Sequence, residues 1–246
     1  MITLHGGGAG FGLPEVSPFV TKTEVQLKMA GLAYRKQPSK PMASPKGQIP
    51  FIDDGAETIA DSSFIRAHIE SQHGIDFDEG LDLAQRAQAW AIERMIEHHI
   101  YFALVGARWL NDENFAKGPA QFFNDLPEAQ REGVRAAVRD QVEHNYVVSG
   151  LGRHSPEEAL ELAGRSLMAL SLMLADKPYL MGERPCGADA TAFAILAGIM
   201  TPYFDSPLRQ RLMQFANLTA YVDRMMARFY PEHEWERQAE AAYLLS

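Results

Sequence analysis

The chain has 246 residues, enough for one large core or two modest ones, and its 46% hydrophobic and 22% charged content is that of an ordinary globular protein. A net charge of −9 argues against nucleic acid or an anionic membrane as the main partner. The single cysteine, Cys186, excludes an intrachain disulfide and a cysteine-based metal cluster, and with no signal peptide and no apolar run long enough to span a bilayer the expected compartment is the cytosol.

Met1–His5 reads as a first strand. The run Gly6–Gly12 (GGGAGFG) invites a nucleotide-binding reading, but no starting glycine gives G-x-G-x-x-G: the sixth position is Phe11 from Gly6 and Leu13 from Gly8. No lysine stands in P-loop position either, so a flexible loop is preferred to a phosphate cradle. Ser17-Pro18-Phe19 then opens a helix to about Ala30, with Ser at the N-cap, Pro at the first helical position and Gly31 as stop. Val20, Thr23, Leu27 and Ala30 share one face, as a helix packed on a sheet requires. Leu32–Gln37 reads as a second strand, followed by a basic, proline-rich loop over Pro38–Pro45.

The stretch Lys46–Ser62 (KGQIPFIDDGAETIADS) organises this half of the chain. It holds a short strand, Gln48–Asp53, an Asp54-Gly55 turn, a second strand, Glu57–Ala60, and a helix start at Asp61-Ser62. Pro50 falls inside the first strand, where a trans proline costs a ladder hydrogen bond. A cis Ile49-Pro50 bond resolves that conflict and leaves the Ile49 backbone free to pair with an extended, peptide-like ligand. The adjacent helix start offers free N–H groups and positive dipole to a carboxylate. Ser62–Gln72 is helical, with Phe64, Ile65 and Ile69 apolar and Gly74 as stop.

Beyond an acidic linker at Ile75–Gly80 nothing alternates like a strand. Helices are expected over Leu81 to about Leu110, over Pro127–Tyr146, from the capping box Ser155-Pro156-Glu157-Glu158 onward, over Gly187–Met200, and once or twice within Pro207–Phe229. The third carries Leu160, Leu167, Leu170 and Leu174, and the stripe Met168, Leu172, Met173 and Leu174 reads as core. The expected architecture is an α/β thioredoxin-like domain, residues 1–75, joined by a linker at 76–80 to an all-α helical bundle, residues 81–246.

Gly-Gln-Ile-Pro at 47–50, a hairpin, and then Asp61-Ser62 resemble the glutathione site of glutathione transferases. The resemblance extends along most of the chain. Gly12-Leu13-Pro14, Ser17-Pro18-Phe19, Lys28-Met29-Ala30-Gly31, Gly150–Glu158, Pro178–Ala194 and Phe204–Arg209 are similar to the branch that groups failed axon connections proteins, metaxins and their bacterial relatives. It implies the glutathione transferase-like fold, glutathione as co-substrate and a small electrophile as second substrate. It also implies a homodimer, although no residue pattern here fixes an interface. By the same resemblance Gln48, Ile49, Pro50, Asp61 and Ser62 contact glutathione: the Ile49 backbone pairs with the cysteinyl unit, Asp61 accepts from the α-amino group, and Ser62 holds the α-carboxylate. Ser17 is the catalytic candidate, its hydroxyl donating to the bound thiolate at a helix N-terminus. A merely capping Ser17 and a merely structural hairpin explain the same residues. The branch also contains members with structural or transport roles, so a non-catalytic binding or scaffold protein is the alternative.

The long helix carries Tyr101, Arg108 and Trp109, which in such a fold border the cleft and could line an acceptor pocket. Glu97, His98 and His99 look metal-binding, but adjacent helical residues point roughly 100° apart, and no metal site is expected. Lys22, Lys40 and Lys46 could attract the glycyl carboxylate or be solvated lysines. Cys186 stands at a helix N-terminus, where a thiol can be activated. Asp189 completes its capping box, and His5 is structural.

Overall fold

A computed structural model describes residues 1–235; the end of the predicted helical domain, 236–246, lies outside them. Four strands form one sheet: β1 (Ile2–Gly6), β2 (Tyr34–Pro38), β3 (Phe51–Asp54) and β4 (Glu57–Ala60), in the order β2-β1-β3-β4. The pair β1/β2 is parallel, as its helical crossover requires, and β1/β3 and β3/β4 are antiparallel. The crossover helix α1 spans Pro18–Met29, and α2 spans Ser62–His73 and stops at Gly74 in the left-handed region. This is the expected β-α-β, β-β-α order.

Three differences from the sequence reading bear on the site. The second strand begins at Tyr34 rather than Leu32, and the third at Phe51 rather than Gln48. Pro50 therefore precedes the ladder instead of interrupting it, and its peptide bond to Ile49 is cis. The hairpin pairs Asp54 with Glu57, so the loop is Gly55-Ala56, one residue later than expected. Gly55 takes the φ of +64° that this first loop position demands.

Helix α1 is buried from Val20 to Leu27, on more than the single face its apolar spacing indicates. Val20 and Leu27 pack with Ile2, Leu4, Ile52, Ile65 and Ile69 against the sheet, whereas Val25 belongs to the core of the helical region. The outer side of α1 is covered by a helix from that region, and this contact joins the two halves.

In the helical region α3 (Leu83–Met95) and α4 (Tyr101–Val105) are joined and extended by π-helical segments at Ile96–Ile100 and Gly106–Leu110, which makes one long, locally widened rod. There follow α5 (Asp112–Lys117), α6 (Glu128–Val148), α7 (Pro156–Leu174), α8 (Gly187–Met200), α9 (Pro207–Met213) and α10 (Ala216–Phe229). The Ser155–Glu158 capping box forms in both directions, at 3.3 and 2.9 Å. Of the stripe read as core on α7, Leu174 is buried but Met168 and Leu172 are exposed. Helix α8 is buried throughout and is the hub of the larger core. No helix among the described residues is long and apolar enough to cross a membrane.

A buried ionic network fixes α1 and α2 to the rod and to α8. Lys22 on α1 lies 2.7 Å from Glu97 Oε1 and 3.3 Å from Glu93 Oε2, all three being buried. Arg66 on α2 reaches Glu93 Oε1 and Asp78 Oδ2, both at 2.6 Å. Asp78 in turn accepts the Gly187 N–H at the start of α8, and Thr191 donates to Glu93. Arg94 pairs with Glu97 at 2.8 Å. Lys22 thus neither attracts a ligand nor faces solvent: Glu93 and Glu97, one helical turn apart, compensate its charge.

Candidate functional site

Strand directions decide where the candidate residues meet. Because β3 runs against β1, and β4 against β3, the end of β1, the start of β3 and the end of β4 share one edge of the sheet. The segments leaving that edge carry Ser17 after β1, Gln48, Ile49 and Pro50 before β3, and Asp61-Ser62 after β4. They are tied together: Asp61 N–H donates to the Pro50 carbonyl at 3.3 Å. A Cβ placed on Gly7 would lie 2.6 Å from Val16 Cγ2 and 3.8 Å from Ile49 Cδ1, so the first loop wedges between the Ser17 and Ile49 segments.

Ile49 lies outside the ladder, which starts with the pair His5–Phe51, and among the described residues its N–H and carbonyl make no loop hydrogen bond. Gln48 is exposed and Pro50 buried. Asp61 holds an unusual backbone, φ +82°, for a residue with a Cβ, and its Oδ1 accepts from Ser63 N–H at 2.8 Å. Such conformations cost of order 1–3 kcal/mol and concentrate at binding sites. Here it orients Asp61 toward the start of α2, where the hydroxyl of the buried Ser62 is given to no described residue.

Ser17 occupies the N-cap position of α1, yet its hydroxyl makes no capping bond. Its N–H instead donates to Glu15 Oε1 at 3.2 Å. That carboxylate, buried, also accepts Gly7 N–H and Gly8 N–H at 3.0 Å each and meets Lys36 Nζ at 3.2 Å. The glycine run therefore cradles an anion after all, but an internal one, and the loop expected to be flexible is pinned by Glu15. Burial pushes the Glu15 carboxyl up, with Lys36 and the backbone donors opposing. Glu15 was invisible to motif reading; the available signal was an acidic residue two positions before a helix cap, following a glycine run.

The long rod supplies the other wall. Tyr101 packs edge-on against Phe19, with ring centroids 4.8 Å apart, and so borders the segment after Ser17. Arg108 is buried rather than lining an open acceptor surface: it donates to the Gly198 carbonyl at 2.6 Å and to the Val16 carbonyl at 3.4 Å, bracing α8 against the Ser17 segment. Trp109 stacks obliquely on Phe115 and Phe122, and Phe122 also meets Phe11 of the first loop. With Tyr203 and Phe204 beside Phe11, these rings form an aromatic surface continuous with that loop.

The remaining candidates separate. Lys40 is exposed near Asp125, and Lys46 lies 3.9 Å above the ring of Phe64, which is solvent-facing rather than core. Glu97 pairs with Lys22, His98 is exposed, and His99 bonds Ser166, so these three do not converge. His5 is structural, stacked on Phe51 and bonded to Ser39 and Asp53. Cys186 is buried, and burial together with the Asp189 carboxylate pushes its thiol well up rather than activating it. A thiol-specific disulfide reagent is accordingly expected to leave Cys186 unmodified in the native protein and to titrate it once denaturant is added. Rapid labelling without denaturant would contradict that burial.

Comparisons with known proteins agree with this architecture. The family model described as "Glutathione S-transferase N-terminal domain" matches residues 18–114, and that described as "Glutathione S-transferase, C-terminal domain" matches 163–225. The chain is 33% identical over 208 residues to isoprene-epoxide–glutathione S-transferase of Rhodococcus sp. strain AD45, covering 81% of this chain and 87% of that one. It is 30% identical over 236 residues to Failed axon connections of Drosophila melanogaster, covering 89% of this chain and 56% of that protein. Among solved structures, the β-etherase LigF of Sphingobium sp. strain SYK-6 superposes with a TM-score of 0.65 at 18% identity, over 94% of this chain and 98% of that one. Matched in both halves by the family's domains and across four fifths of its length by a transferase, the chain belongs to the glutathione S-transferase family.

Proposed function

We propose that the protein is a glutathione-dependent transferase acting on a small electrophile. The observation that carries this reading is the convergence, on one sheet edge, of an unladdered Ile49 backbone, the Asp61-Ser62 helix start and a Ser17 hydroxyl that makes no capping bond. The Ile49 N–H and carbonyl suit the backbone of a cysteinyl residue. The start of α2, with the Ser62 hydroxyl, suits a carboxylate, and the free oxygen of Asp61 suits an ammonium. Ser17 Oγ–H would then stabilise the glutathione thiolate. Lys36, by compensating Glu15, keeps that carboxylate from opposing a second anion. In the reaction the sulfur forms a bond to an electrophilic carbon, the leaving bond breaks, and the departing oxygen or halide carries off the electron pair. Epoxides are the first class to screen, because the Rhodococcus relative is named for one. A two-fold homodimer is part of the same proposal.

Calorimetric titration with reduced glutathione tests the pocket. The wild type is expected to bind in the micromolar to low-millimolar range and Asp61→Asn about tenfold more weakly, a loss of roughly 1.4 kcal/mol. Absence of heat at two temperatures, chosen to avoid a vanishing enthalpy, would remove the proposal. A second reading, a non-catalytic protein that keeps the fold, is favoured by one specific feature: Glu15 already occupies the N–H groups beside Ser17. Tight glutathione binding without turnover of any electrophile would select it.

A further inference from the structure

At the far end of the β3–β4 hairpin, three side chains from two elements converge on one point. Asp54 closes β3, and His68 and His73 lie on α2. His68 Nε2 is 3.0 Å, and His73 Nε2 2.7 Å, from the same atom, Asp54 Oδ2. The three potential ligand atoms all lie within 4.8 Å of one another. The side chains are sheltered but reachable, with exposures of 18% for Asp54, 11% for His68 and 26% for His73.

We propose that Asp54, His68 and His73 form a zinc-binding site. Two imidazoles and one carboxylate are a borderline nitrogen–oxygen donor set, which suits zinc and excludes the all-oxygen preference of calcium and magnesium. The two rings stand at 70° to each other, so their Nε2 atoms approach the shared oxygen from different directions, as ligands of one ion must. Zinc–ligand bonds of about 2.0–2.1 Å place tetrahedral ligands roughly 3.3–3.4 Å apart. The two histidine–carboxylate separations, 3.0 and 2.7 Å, therefore need to open by about 0.3–0.7 Å, the ion replacing the protons that now bridge them, with all three ligand atoms already within 4.8 Å of one another. Glu57 Oε2, 3.6 Å from His68 Nδ1, is placed as the outer carboxylate that fixes the ring of a metal-bound histidine. The site also sits at the C-terminal end of α2, where the helix dipole favours a cation. Water completes the coordination.

Helix α2 carries the site at one end and Ser62 at the other, and the hairpin likewise connects Asp54 to Pro50 and Asp61. Bound zinc would staple hairpin to helix at the end away from the glutathione corner. It is a positioning site, independent of whether glutathione binds.

Tag-free protein, stripped with chelator, is titrated with zinc chloride against a chromophoric zinc indicator. Expected are one equivalent bound, at least tenfold weaker binding in His73→Gln and in Asp54→Asn, and unchanged binding in His98→Gln. Cobalt(II) in place of zinc should give the visible bands of a low-symmetry, four-coordinate site in the wild type and not in His73→Gln. The wild-type titration needs no variant to fold: no stoichiometric binding overturns the proposal, as does binding that survives in a folded His73→Gln.

Discussion

Replacing Ser17 by alanine is expected to lower turnover with an accepted electrophile by about 10- to 100-fold while leaving the glutathione dissociation constant within about twofold. The range follows from losing one hydrogen bond to a charged sulfur, worth roughly 1.5–3 kcal/mol. Affinity should change little because Ile49, Asp61 and Ser62 lie on other segments of the edge. Stability should change little too, because the hydroxyl caps nothing: Glu15 already holds the Ser17 N–H. The thiol of bound glutathione should titrate about 1–2 units higher in Ser17→Ala, read from thiolate absorbance against pH. Its sign is fixed: a donor to the thiolate lowers the pKa, so its loss raises it. Equal losses in turnover and affinity would reduce Ser17 to a binding residue, and no loss in either would remove it from the site.

Lys22→Met should be the most destabilising single change described here. It leaves Glu93 and Glu97 facing each other in a buried setting, and Arg94 and Arg66, engaged elsewhere on these carboxylates, cannot replace the missing charge. Removing one partner from a buried ion pair costs about 3–5 kcal/mol. For a chain of this size that lowers Tm by roughly 10 °C, measurable by differential scanning calorimetry. Adding Glu93→Gln should recover part of the loss, since it removes the stranded carboxylate while Arg66 keeps Asp78 and Glu70 and Arg94 keeps Glu97. Lys40→Met, at an exposed pair, should move Tm by less than a degree or so. If Lys22→Met and Lys40→Met proved alike, the network would be contributing nothing to the joint between α1 and the helical region.

Much of this protein is written in short-range signals. Pro18 and Gly74 mark helix ends because proline fits a first turn and glycine the left-handed stop; Ser155 and Glu158 cap a helix because three residues of spacing bring each to the other's N–H. The approach of Ile49, Asp61 and Ser62 to one sheet edge follows from local patterns, a hairpin and an Asp-Ser helix start, although the sequence reading puts Pro50 inside the strand that it precedes. Tertiary structure alone decided which charges meet. Lys22 lies 71 and 75 residues from its partners Glu93 and Glu97, and only the packing of α1 against the rod removes all three from water. The same holds for Arg108, whose guanidinium finds carbonyls 92 and 90 residues away, and for Glu15, whose capture of the glycine loop depends on how the chain turns back from β1. His68 and His73 carry no zinc motif in sequence. Asp54 joins them because β3 and α2 end on the same side of the sheet. Caps, turns and periodicity are set by neighbours along the chain, whereas burial and charge pairing depend on which surfaces the fold brings together.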